Sequence, residues 1–314
     1  MRASLTGRIR SMKDRARRLV EAWRVRRPAV DHLIKTVRRY QAQSGDRLAG
    51  GVTYFAFLSF FPLIALAFAL LGYVVTVSAE VAGALETAIV ERLPGLAGQL
   101  DLETIKGAKA TAGLIGLLGL LYAGLGAVDA LRGALREICM IVSPPPSFLL
   151  GKLRDLVSLL LLGVTLIVSV LVGGLATTAT AAVAHFLFGD SSAGVTALTG
   201  LVGVVGSLAA DWVLFMIALG WVARPDQPFQ VLAKGALLGA VGFGVLKQVA
   251  SLLLASTLQN PIYGAFAVMV GLLLWINFST RLVLYVAAWT ATAGGAPPPS
   301  PSPLPSTGRP AGAL

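Results

Sequence analysis

Six separate stretches of this chain are each long and apolar enough to cross a hydrocarbon core of about 30 Å, which takes roughly 20 helical residues. They fall near Leu48–Val77, Thr111–Leu135, Leu156–Leu187, Gly194–Ala223, Val231–Ser256 and Ile262–Thr290. Lipid offers no hydrogen bonds to a bare backbone, so each run is predicted to fold as a helix that satisfies its own polar groups. Composition supports this: 56% of residues are hydrophobic and only 13% are charged, too few to keep such a chain dissolved as a globule. The expected fold class is all-α, a polytopic membrane protein with a bundle of six transmembrane helices. Pro62 removes a backbone donor inside the first of them and is expected to kink it.

The 314-residue chain carries a net charge of +11. Fourteen of its 26 lysines and arginines lie in residues 1–47, a stretch too poor in apolar residues to build a nucleic-acid-binding domain with its own core. No nucleic-acid partner is therefore expected. The basic stretch is also too long, and the apolar run too late, for a cleavable signal peptide. Two short amphipathic helices fit instead. Ile9, Met12, Ala16, Leu19 and Trp23 form one stripe; beyond Pro28, Val30, Leu33, Ile34, Val37 and Tyr40 form the next. Such helices lie among headgroups with their cations near anionic lipid, the expected partner of the arm. The alternative is a solvated arm that only biases topology. Residues 293–314, rich in Pro, Ser and Gly, form a tail expected to be disordered.

Loop charges predict orientation. The segment 78–108 holds Glu80, Glu86, Glu91, Asp101 and Glu103 against Arg92 and Lys106. The next loop carries Arg132, Arg136, Lys152 and Arg154, and 185–193 has no lysine or arginine. Basic and non-basic loops alternate, which places both termini in the cytoplasm.

Several segments resemble the YihY/BrkB family of bacterial inner-membrane proteins. One is Asp46-Arg47-Leu48-Ala49-Gly50-Gly51-Val52-Thr53-Tyr54-Phe55, continuing through Phe60-Phe61-Pro62-Leu63. Others are Tyr263-Gly264-Ala265-Phe266-Ala267 before Leu272-Leu273-Leu274-Trp275-Ile276, and Lys234-Gly235-Ala236-Leu237-Leu238-Gly239 after Pro225. The resemblance covers roughly residues 30–292. It implies six helices in an inner membrane and no settled activity. The family has carried virulence-factor and ribonuclease labels and proposals of lipid or small-molecule export. The basic arm and acidic first loop are closest to a branch similar to the YhjD proteins, linked to the handling of lipid A precursors.

The residues argue against an enzyme. His32 and His185 are far apart in sequence, Cys139 is the single cysteine, and no carboxylate–histidine cluster of the kind metal-dependent hydrolysis requires is visible. No Gly-x-x-x-x-Gly-Lys-[Ser/Thr] loop is present to hydrolyse ATP. No metal or cofactor is expected.

Ionisable residues inside apolar helices are costly and so are candidates for function. Asp129, Asp211 and Arg281 stand at similar depths if their helices run in the same direction, and a pair between Arg281 and one or both aspartates is expected. In the alternative, Arg281 snorkels to the headgroups and Asp129 pairs locally with Arg132 or Arg136. Lys247 is near the middle of the fifth segment. It is balanced either by a carboxylate on a neighbouring helix or by a hydrated cavity that takes an anionic substrate group, and the cavity is favoured here. Glycines at Gly113, Gly116 and Gly119, at Gly200, Gly203 and Gly206, and at Gly235 and Gly239 mark close helix approach. The expected function is transport or export of a lipidic or amphipathic anionic substrate through a path at Asp129, Asp211, Lys247 and Arg281. The alternative is a scaffold that binds anionic lipid or a partner through the arm. A homo-oligomer is compatible with either.

Overall fold

The computed structural model describes residues 28–77, 102–141, 149–165, 193–223, 227–257 and 264–293. All regular structure among them is helical: α1 (Pro28–Ala42), α2 (Gly45–Val77), α3 (Leu102–Cys139), α4 (149–165), α5 (Ala193–Met216), a π-turn (Ile217–Val222), α6 (Phe229–Thr257) and α7 (Gly264–Ala293). Five of these, α2, α3, α6, α7 and α5 with its π-turn, are long and apolar enough to cross a membrane. The expected count of six is not reached among the described residues. Of the third segment, residues 156–165 are helical within α4, and 166–187 lie outside the description. The amphipathic helix expected before Pro28 and the tail from Gly294 also lie outside it.

Helices overrun the predicted spans because hydropathy falls at charged residues while helix propensity does not. Lys, Arg and Glu are good helix formers, so α3 continues through Arg132, Arg136 and Glu137 to Cys139. The helix α2 likewise runs unbroken through Pro62. The proline ring and backbone make room for α3 only where α3 has glycine. A Cβ on Gly116 would stand 3.0 Å from the Pro62 carbonyl oxygen and 2.7 Å from the Leu66 nitrogen, and one on Gly119 would meet the Pro62 ring at 2.9 Å.

The Gly-x-x-x-Gly of α6 wedges between two neighbours. Gly239 is covered by the ring of Phe215 on α5, and Gly235 by the methyl of Thr290 on α7. Gly206 of α5 faces open space, so close approach does not explain it. The densest packing gathers at one end of the bundle, around Leu135, Ile138, Phe215, Leu219, Leu284 and Ala287.

α1 departs from expectation. Its apolar stripe was expected to meet lipid while the helix lay flat. Instead α1 docks on the end of α7 through His32, Thr36 and Tyr40, the last a member of that stripe, while Leu33 and Val37 stay exposed. The His32 ring nitrogen bonds the Trp289 carbonyl at 3.1 Å and Thr292 Oγ1 at 2.9 Å, while Tyr40 stacks on Tyr285 at 3.8 Å. His32 opposite Thr292 and Tyr40 opposite Tyr285 mean that α1 runs antiparallel along the last two turns of α7. A tight turn at Gln43 and Ser44, with Ser44 at φ 52°, then leads into α2. Gly45 is required there because the Tyr40 ring occupies the space of a side chain.

Candidate functional site

Among the described residues, the charged candidates fall into three separate groups, each of which bridges two helices or more. On α3, Asp129 accepts from Arg132 one turn later, the local pairing that spacing allows. The other terminal nitrogen of Arg132 donates to the Gly151 carbonyl at 3.4 Å and forms an ion pair with Asp155 of α4 at 2.9 Å without a hydrogen bond, and Lys152 of α4 reaches Asp129 at 3.4 Å. Arg132 thus forks between two carboxylates, a geometry its planar guanidinium suits. The Asp155 side chain is 1% exposed and that of Arg132 15%, whereas Asp129 and Lys152 are 46% and 38% exposed. Arg154 turns away and donates to the Trp221 carbonyl at 2.7 Å, capping the end of the π-turn.

These outer charges close one end of a cavity of about 480 Å³. Its walls are Phe55 of α2, Leu121, Tyr122, Leu125, Gly126 and Ala130 of α3, and Lys152 of α4. Gly126 lets the Phe55 ring of α2 lie directly against α3, since a Cβ there would stand 2.7 Å from that ring. The cavity is therefore a groove with an acid–base floor and an apolar, aromatic wall.

The second group joins α5 to α6. Lys247 Nζ donates to Asp211 Oδ2 at 2.6 Å and to Ser207 Oγ at 3.0 Å, and lies 5.2 Å from the centre of the Phe243 ring. Of the two balances weighed for Lys247, the geometry shows the carboxylate rather than the cavity. A lysine side chain reaches about 6 Å and leaves its helix tilted toward the N-terminus. In α6 that direction leads to the level of Asp211.

The third group sits where α1 turns into α2. Arg281 of α7 approaches Asp46 at 3.4 Å, and the Tyr40 hydroxyl donates to Asp46 at 2.8 Å. Burial, then the bond to Asp46, pushes the Tyr40 hydroxyl above its ordinary range, so it stays protonated as a donor. The expected pair of Arg281 with Asp211 or Asp129 does not form, because docked α1 brings Asp46 to the height of Arg281. Asp129, Asp211, Lys247 and Arg281 are thus not one site.

Asp155, Ser207 and Asp46 were not candidates in the sequence. Asp46 and Asp155 flank apolar runs and read as headgroup-level charges, and Ser207 has no local signal. A second hollow of about 340 Å³, lined by Trp212, Met216, Gly220, Trp221 and Phe229, lies at the π-turn, which hydropathy does not reveal. Among the described residues no group of three His, Cys, Asp or Glu side chains stands close enough to hold a metal ion.

Long apolar helices joined by internal ion pairs define a multi-pass membrane protein. The sequence model of the family described as Virulence factor BrkB matches residues 36–307, and the chain belongs to that family. It is similar to the Inner membrane protein YhjD of Escherichia coli (strain K12), 31% identical over 277 residues that cover 85% of this chain and 82% of that protein. It is also 29% identical over 275 residues to an uncharacterized protein of Dickeya dadantii (strain 3937), covering 85% and 84%. No solved structure matches.

Proposed function

We propose that this protein moves an amphipathic, lipid-like substrate bearing an anionic group across a bacterial inner membrane, without an ATPase of its own. The observation that carries the reading is the groove, apolar along its wall and charged at one end, which has the polarity profile of a lipid. Asp129 and Lys152 contact the substrate. Asp211, Lys247 and Arg281 lie outside the groove's lining and hold helices together in ion pairs of their own. An ion gradient, a partner or the substrate's own gradient supplies the energy. In proteoliposomes, the protein is expected to speed the movement of a fluorescent phospholipid between leaflets, read by an impermeant quencher. Lys152→Met and Asp129→Asn should each slow it by about tenfold, the loss of one charge-assisted contact. No movement, or wild-type rates in both variants, would overturn the reading.

The end of the bundle that carries the basic residues faces the cytoplasm in this proposal, as positive-inside bias requires. In a Cys139→Ser background, exposed Arg47→Cys should resist an impermeant maleimide in intact cells and react after lysis. Labelling in intact cells would reverse the orientation.

A scaffold reading is favoured by one feature. Docked α1 leaves Leu33 61% and Val37 36% exposed one turn apart, an apolar strip on a basic helix that suits a headgroup layer or a partner.

A further inference from the structure

The charged end of the groove is lined by Asp129 and Lys152, and behind it, outside the lining, Asp155 and Arg132 complete a set of two acids and two bases. Its inner members hold each other at 2.9 Å and are shielded. Its outer members, Asp129 and Lys152, are only 3.4 Å apart but about half exposed. A pair that exposed is weak, and both groups keep hydrogen-bonding capacity for a ligand.

A purely anionic headgroup would gain Lys152 and be pushed against the Asp129 carboxylate. A purely cationic one would meet the reverse conflict. A headgroup with both charges satisfies both, its phosphate on Lys152 and its ammonium on Asp129. A primary ammonium suits Asp129 because it donates N–H bonds to a carboxylate, which a quaternary one lacks. Toward the lipid interior, Leu125, Leu121, Tyr122 and Phe55 provide an apolar wall; from Asp129 to Tyr122 it extends about 10 Å at 1.5 Å per residue. We infer that the groove binds a zwitterionic phospholipid whose headgroup joins a phosphate to a primary ammonium. This deepens the transport reading and rests on it for its biological meaning, but binding alone tests it.

Full-length protein in nanodiscs of equal phosphatidylethanolamine, phosphatidylglycerol and phosphatidylcholine is released into the gas phase, and the retained lipids are counted by native mass spectrometry. The wild type should keep phosphatidylethanolamine over each competitor by about tenfold. Asp129→Asn should lose that preference and turn toward phosphatidylglycerol, a reversal that misfolding would not produce. Lys152→Met should reduce retention of both phosphatidylethanolamine and phosphatidylglycerol to the level of phosphatidylcholine. Equal retention of phosphatidylglycerol by the wild type, or an unchanged preference in Asp129→Asn, overturns the inference. So does competition by free phosphoethanolamine at the concentration of the lipid, because the apolar wall would then contribute nothing. If the preference holds while proteoliposomes show no lipid movement, the transport reading fails and the site stands. If lipids move without regard to headgroup, the site assignment fails and transport stands.

Discussion

Lys247→Met is expected to destabilise the protein, and Asp211→Asn added to it is expected to restore most of the loss. The Asp211 side chain is 9% exposed on an apolar helix, and Lys247 is its closest counter-charge at 2.6 Å. Removing one member of a buried pair leaves an uncompensated charge, which costs about 3–5 kcal/mol when both members are buried. The lysine side chain is 37% exposed, so about 2 kcal/mol is the better expectation here. Loss of the contacts to Ser207 and the Phe243 ring adds to it. Lys247→Arg should retain much of the stability, because charge is kept while shape changes. Thermal unfolding of detergent-purified variants, followed by size-exclusion fluorescence, supplies the double-mutant cycle. Additive losses at Lys247 and Asp211 would show that the two residues do not act as a pair.

Arg132→Met should have the largest effect of any single substitution among the described ion pairs, about 3–5 kcal/mol. It strands Asp155, whose side chain is 1% exposed, and leaves Asp129 with Lys152 alone. Arg132→Lys should recover little, since an ammonium is a single point and cannot fork between two carboxylates. Arg132→Met with Asp155→Leu should regain most of the loss, because well-packed apolar residues replace buried ion pairs at little cost. The same unfolding measurement decides it. An Arg132→Met protein as stable as wild type would mean that Asp155 carries no charge in the fold.

The helices were largely legible from local pattern. Apolar runs marked α2, α3, α5, α6 and α7 to within a few residues at most ends, because crossing a bilayer requires length and hydrophobicity that no other element shares. The larger misses came at α3, where charged residues ended the hydropathy signal but not the helix. Gly235 and Gly239 also announced themselves, since only a missing Cβ lets Phe215 and Thr290 come so close. The candidate site was less legible. Asp129 with Arg132 could be read from an i,i+3 spacing, whereas Lys152 and Asp155 join them across a helix–helix contact that no spacing encodes.

What the sequence by itself determined, then, was the class of protein: apolar runs of sufficient length, charges confined to few places, and a family pattern running through them. Tertiary structure decided the partners. Arg281, Asp211 and Asp129 share an approximate depth in the sequence, but depth is one coordinate and an ion pair needs three. The direction in which each side chain leaves its helix sent Lys247 to Asp211. The docking of α1 along α7 raised Asp46 to Arg281, and the packing of α4 against α3 closed Arg132 onto Asp155. Each of these depends on how two helices lie against each other, which follows from the summed packing of whole faces and not from any residue's neighbours in the chain.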